Sequence, residues 1–115
     1  MKNIILSAAA FVSITAQSAA ALPPVSVFQT GNTLLALCSG VQIEKSACFS
    51  YLMAVADVLQ SGAAFNGYRA CIPTGVTGSQ LGAVYVKHLT DYPNKRQLTA
   101  VSPAAEAFDI AFPCK

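Results

Sequence analysis

Charge is what this chain most lacks. Only 10 % of its 115 residues are Asp, Glu, Lys or Arg, against 54 % hydrophobic, a ratio that excludes a disordered polyelectrolyte. Seven basic and five acidic residues, scattered along the chain, leave no electrostatic footprint for nucleic acid. The length allows one domain and excludes a nucleotide-binding fold with a separate substrate domain. There is a single histidine, His88, and the sequence nominates no nucleophile or carboxylate to work with it. No G-x-S-x-G, H-E-x-x-H or glycine-rich phosphate loop occurs, and no two carboxylates form a pair that suggests glycosidase chemistry. No two cysteines stand two to four residues apart, which excludes the usual zinc-ligand pair and the C-x-x-C redox motif. No apolar run reaches the roughly 18 residues that cross a bilayer. These absences predict a non-enzymatic, single-domain protein with no cofactor, no metal site, no nucleic-acid partner and no stable membrane insertion.

What is present begins with an export signal. Lys2 supplies a positive start, residues 4–14 (IILSAAAFVSI) are mostly apolar and uncharged, and Ala16-Gln17-Ser18-Ala19-Ala20-Ala21 offers the small residues that signal peptidase requires. Leu22-Pro23-Pro24 then breaks the run. The expectation is a signal peptide at 1–21, cut after Ala20 or Ala21, and a single mature domain at 22–115. Behind such a signal, an even count of four cysteines reads as two disulfides made in an oxidising compartment.

The mature part reads as four helices, with no alternating strand pattern and no internal repeat. A short extended leader covers 22–29. Thr30-Gly31-Asn32 offers capping oxygens for a first helix through Leu34, Leu35, Leu37 and Cys38, which Ser39-Gly40 ends. A second helix is expected from Ser46 to Ser61-Gly62. Only Ser50 and Asp57 interrupt its apolar surface, so it is expected to be buried on more than one side, in the domain centre or at a subunit interface. Asn66-Gly67 marks a turn in the loop at 63–73. Thr77-x-x-Gln80 matches a capping box and starts a third helix, with Leu81, Val84, Tyr85, His88 and Tyr92 on one stripe. Pro93 stops that helix or opens the next turn. The last helix carries Ala100, Ala104, Ala107, Phe108 and Ala111 on one face. It starts either at Ser102-Pro103, as an N-cap followed by proline, or earlier near Leu98 with a kink. The predicted class is an all-α, four-helix, disulfide-stapled bundle. Short connections make neighbouring helices antiparallel. Cys38 and Cys48 then share one end and Cys71 and Cys114 the other, which favours the pairs Cys38–Cys48 and Cys71–Cys114 over the two other connectivities.

The polar residues admit mostly structural readings. His88 is expected to pack inward with a local hydrogen-bond partner. Asp57, in an apolar helix, is expected to pair with Arg69, Arg96 or a backbone donor. Glu44, Asp91, Glu106 and Asp109 read as helix-end or solvent-face carboxylates. Lys87, Lys95 and Arg96 form a modest basic cluster, either a solvated face or the electrostatic edge of a protein-binding surface. The segments 63–68 and 91–97 are expected to be exposed, and they offer Asn66, Tyr68, Tyr92, Lys95 and Arg96 as partner-binding candidates, because Tyr and Arg often anchor interfaces.

A series of short motifs carries a family resemblance. They are Gly31-Asn32 with Leu34-Leu35 and Cys38, Cys48-Phe49-Ser50-Tyr51 with Val55 and Asp57, and Cys71-Ile72-Pro73 with Val76-Thr77 and Gln80-Leu81. Leu89, Pro93, Arg96 and Ala100 follow, and Ala111-Phe112-Pro113-Cys114 closes the chain. In this order and spacing they resemble the Rap/Tai-type immunity proteins of bacterial type VI secretion, from about Gln29 to the C-terminus. The resemblance implies an exported, periplasmic, disulfide-bonded helical protein, often a homodimer, that binds an incoming peptidoglycan amidase and blocks its active site without catalysis of its own. Two departures stand out: Ala54 occupies a position where many relatives carry glycine, and Ser102-Pro103 interrupts the last helix. The competing reading is a non-enzymatic periplasmic helical binder or chaperone-like protein of envelope stress. A small secreted hydrolase ranks last.

Overall fold

The computed structural model describes residues 28–115, together with 9, 10, 12 and 13. Apart from those four, the signal peptide expected at 1–21 lies outside the described residues, as does the leader at 22–27. Four α-helices and one 3₁₀ turn make up the described part, with two isolated bridges, Thr30 to Thr99 and Phe65 to Tyr68, and no named strand.

Local capping chemistry sets most of the boundaries. Helix α1 (Gly31–Cys38) starts at Thr30, whose hydroxyl accepts from the Thr33 N–H at 3.2 Å while the Thr33 hydroxyl accepts from the Thr30 N–H at 2.8 Å. Helix α2 (Gln42–Gln60) begins four residues before the expected Ser46. Its first-turn Glu44 folds back to accept from the Val41 N–H at 3.3 Å, a carboxylate at the favourable end of the helix dipole. Ser46 lies inside the helix and donates to the Gln42 carbonyl at 3.0 Å. Gly62, at φ 91°, supplies the left-handed residue just past the end of α2.

Asn66 (φ 51°) and Gly67 (φ 81°) place two successive left-handed residues between Phe65 and Tyr68, the pattern of a type I′ turn. The Gln60 side-chain amide then holds the segment that follows, donating to the Ile72 carbonyl at 2.8 Å and accepting from its N–H at 2.9 Å. Helix α3 (Gly78–Asp91) opens with a reciprocal pair: Thr77 N–H to the Gln80 side chain at 2.8 Å, and Gln80 N–H to the Thr77 hydroxyl at 3.2 Å. Helix α4 (Val101–Ala111) starts between the two points expected from sequence. Pro103 is its third residue, where the missing N–H would have had no intrahelical acceptor, so the helix accepts proline without a break.

The core lies where the four helices meet, around Leu34, Leu52, Tyr85, Leu89, Ala104 and Phe108, all sealed from solvent. Disulfides Cys38–Cys48 and Cys71–Cys114 staple α1 to α2 and the entry to α3 to the exit of α4. Beside the second, the Cys71 N–H donates to the Phe112 carbonyl at 2.8 Å. Two glycines permit close approach. A Cβ on Gly31 would stand 2.8 Å from the Arg96 carbonyl oxygen, and one on Gly82 would stand 2.5 Å from the Phe49 ring. Gly78 meets both Phe49 and Met53, while Gly82, one turn later, meets Phe49 but not Met53, so α2 and α3 run antiparallel.

Candidate interaction surface

The connection from α3 to α4 is built by chain-ending chemistry. Tyr92 ends α3 at φ −125°, ψ 69°, its N–H still donating to the His88 carbonyl at 2.9 Å. Proline fixes φ and opens the turn Pro93–Lys95. Arg96 turns back, and its Nε donates to the Leu89 carbonyl at 2.9 Å, satisfying a carbonyl near the end of α3. Its own carbonyl accepts from the Asn32 N–H at 2.7 Å, which ties the connection to the first turn of α1.

Lys95 reaches across to α4 and forms an ion pair with Glu106. The expectation of a helix-end or solvent-face carboxylate at Glu106 is thereby corrected, since the residue lies in the middle of α4 and faces the turn. Its side chain is 15 % exposed, covered because small apolar neighbours on α4 let α3 and the turn close over it. Burial alone pushes the Glu106 carboxyl up, but the bond from Lys95 and the closeness of His88 outweigh it and hold the group below the usual carboxylate range. The Glu106 bond in turn raises the Lys95 ammonium, and the phenols of Tyr68 and Tyr92 add to the effect. His88 is buried as expected, but its neighbour is not local. Nε2 sits 3.3 Å from Glu106 Oε2, across the helix interface, in a direction too poor for a well-formed hydrogen bond. The rim of this cluster is Tyr92, 47 % exposed. Its ring lies 5.0 Å from that of His88 and 5.1 Å from Lys95 Nζ, centroid to centroid and centroid to nitrogen respectively.

The five candidate residues thus separate. Tyr92 and Lys95 stand together, and Tyr68, half-buried, lies within electrostatic reach of Lys95. Asn66 is exposed at the tip of its turn. Arg96 is committed to α1 and α3. The expected basic cluster is likewise dispersed, because each cation has found its own acceptor: Lys87 on Asp91 at 2.7 Å, Lys95 on Glu106, and Arg96 on a backbone carbonyl.

Asp57 corrects another expectation. It is exposed, and neither arginine reaches it, since Arg69 is directed to the Gly62 carbonyl and Arg96 to that of Leu89. The reason is that the fold covers only one side of α2. Ile43, Ala47, Ser50, Ala54 and Val58 follow one another at helical spacing, and all are exposed. Beside them Tyr51, Ala54, Val58, Phe65 and Val101 line an apolar cleft of about 260 Å³. A second cleft, of about 650 Å³, lies over the seam of α2 and α3 between Lys45, Phe49, Gly82 and Lys87. Sequence reasoning passed over this second cleft, although Ser79, Gly82 and Ala83 signal it as small residues on one side of α3. Among the described residues no group of three or more His, Cys, Asp or Glu could hold a metal ion, and no helix is long and apolar enough to cross a membrane.

The sequence profile of the Rap1a immunity proteins matches residues 30–114, from the threonine that caps α1 to the last cysteine. No curated protein and no solved structure matches the chain.

Proposed function

The chain belongs to the Rap1a immunity protein family, and from that premise we propose that it is a periplasmic inhibitor of a type VI secretion effector, a peptidoglycan amidase. The observation that carries this reading is the extent of the match: residues 30–114 take in all four helices and both disulfides. In this reading the signal at 1–21 exports the chain, the two disulfides form in the periplasm, and the protein meets the effector as it arrives at the cell wall.

Inhibition is by occupancy. A rigid, stapled bundle covers the amidase active site and contributes no group to chemistry, so no cofactor, metal or catalytic residue is required. Exposed Tyr92, with Lys95 behind it and Tyr68 within electrostatic reach, is the polar and aromatic edge that meets the effector, and Asn66 contributes a further contact from the tip of its own turn. Arg96 supports that edge by fixing the turn. The opposite requirement, a second copy of the chain, is met by the exposed apolar face of α2. Ile43, Ala54 and Val58 lie on it beside the apolar cleft, and burying such a face against its symmetry mate gives a homodimer.

The test is rescue. Cells that export a type VI amidase effector found encoded beside this gene should lyse, co-expression of the full chain should restore growth, and a stable complex should be recovered from the periplasm. Failure of rescue together with no complex would remove the proposal. The exposed apolar face of α2 favours one alternative, a chaperone-like binder of envelope stress. That protein would suppress aggregation of several unfolded clients at low pH, whereas the inhibitor binds one folded partner.

A further inference from the structure

We propose that the cleft between α2 and α3 receives a loop of the effector that carries a carboxylate beside an apolar side chain, with the carboxylate seated at Lys45. This assignment rests on the immunity reading and extends its contact surface beyond Tyr92.

The shape comes from small residues. On α3, Ser79, Gly82 and Ala83 leave a trough, and the Phe49 ring of α2 fills the space that a Cβ on Gly82 would claim. The floor is therefore apolar and the volume, about 650 Å³, lies in the range of clefts that enclose several side chains of a ligand.

The charge comes from the rim. Lys45 and Lys87 both line the cleft. Lys87 is held by Asp91 but its side chain remains 78 % exposed. Lys45 is half-buried and, among the described residues, has no hydrogen-bond or ion-pair partner. The nearest carboxylate in sequence, Glu44, is turned away to the Val41 N–H. A lysine without a partner at the mouth of an apolar trough offers a charge that an anion complements. Two lysines without arginine or aromatic stacking at the rim suit a single carboxylate better than a nucleic-acid backbone. Lys87 also borders the smaller cleft that contains His88 and Tyr92, so the trough and the Tyr92 edge form one continuous surface along the second half of α3.

Two arms test this with the full, oxidised protein exported to the periplasm. In the first, amide NMR shifts are followed while adding acetyl-Gly-Phe-Asp-Gly-amide or its Asn counterpart. The Asp peptide should perturb Lys45, Gly82, Ala83 and Lys87 and bind several-fold more tightly than the Asn peptide, and Lys45→Glu should abolish the difference. In the second arm, Lys45→Glu and Ala83→Trp, each with an unchanged circular dichroism spectrum, should weaken the complex with the amidase at least tenfold. Wild-type affinity in both variants would overturn the cleft assignment while leaving the immunity reading intact. If the wild-type chain binds no amidase, the immunity reading fails, and the assignment of an effector loop to the cleft falls with it. Absence of shifts at the cleft with the Asp peptide would overturn the carboxylate preference irrespective of the effector.

Discussion

Lys95, in the turn that follows α3, is paired with Glu106 of α4 at a site where both side chains are largely covered, 24 % and 15 % exposed. The pair ties the turn after α3 to α4 beside the contact of His88 with Glu106, and it lies directly behind the exposed ring of Tyr92. Glu106→Gln removes the charge and leaves the Lys95 ammonium facing a neutral amide. The expected cost is about 1–3 kcal/mol, the range for leaving a covered polar group poorly matched. Because the folded-state Glu106 carboxyl is held below its ordinary value of 4.5, its contribution is present above that pH and is lost as pH falls through the lower folded value. Urea titrations should therefore show the gap between wild type and Glu106→Gln widest above pH 4.5 and narrowing under stronger acid. A gap independent of pH would show that the pair does not couple to protonation.

Gly31→Ala should destabilise the fold although it replaces glycine by a better helix former. The added methyl would meet the Arg96 carbonyl oxygen and Cα at 2.8 and 2.9 Å, both backbone atoms of a turn pinned by the bonds from Gly31 to Leu98 and Asn32 to Arg96. Overpacking of this kind costs about 1–3 kcal/mol. A urea midpoint equal to or above that of wild type would show that the turn yields easily.

The two disulfides should differ in worth. Cys71–Cys114 spans 43 positions and Cys38–Cys48 spans 10. Loop-closure entropy then gives about 4 kcal/mol for the longer link and about 3 kcal/mol for the shorter. Cys71→Ser with Cys114→Ser should lower the urea midpoint more than Cys38→Ser with Cys48→Ser, and equal losses would contradict the entropic account.

What could be read from the sequence follows the range of the forces involved. Thr30 with Thr33 and Thr77 with Gln80 act within three residues, so both helix starts were legible from side-chain chemistry alone. The start of α2 was not, because Ser46 is the obvious capping residue while the true first turn is closed by Glu44 on the backbone of Val41, a residue with no capping side chain. Glu106 and Asp57 exchanged roles for a tertiary reason. An isolated helix pattern shows which positions are apolar but not which apolar face the rest of the fold will cover. The fold covers α4 on the side of Glu106 and leaves α2 open on the side of Asp57. The cleft at Lys45 is signalled in the sequence only by the small residues Ser79, Gly82 and Ala83, since its walls need α2 and α3 at the distance that Phe49 and Gly82 set.

Ala54→Glu tests the open face of α2. Ala54 is exposed between Ser50 and Val58, so a carboxylate there is harmless to a monomer but would face its own copy across a symmetric interface. If the protein dimerises through this face, the variant should elute as a monomer with an unchanged helical spectrum, while wild type elutes as a dimer. An unchanged oligomeric state in the variant would exclude this face as the interface.

Tyr92 and Arg96 stand four residues apart, and substitution should affect different properties. Tyr92→Ala removes a half-exposed ring whose contacts are the edge of His88 and the Lys95 ammonium, so stability should change by less than about 1 kcal/mol. If the proposed complex forms through this edge, binding of the effector should fall by about 2 kcal/mol, as for an aromatic anchor of an interface. Arg96→Ala instead strips a partner from the Leu89 carbonyl and loosens the turn that holds α1 to α3, with an expected loss of stability of about 1–3 kcal/mol. Its effect on the complex should be smaller and should follow the loss of stability. Calorimetry of the complex and urea melts of the free variants together read this contrast. If Arg96→Ala abolishes binding at full stability while Tyr92→Ala binds normally, the effector-facing edge lies on the α1 side of the turn, where the Asn32 and Arg96 backbones meet.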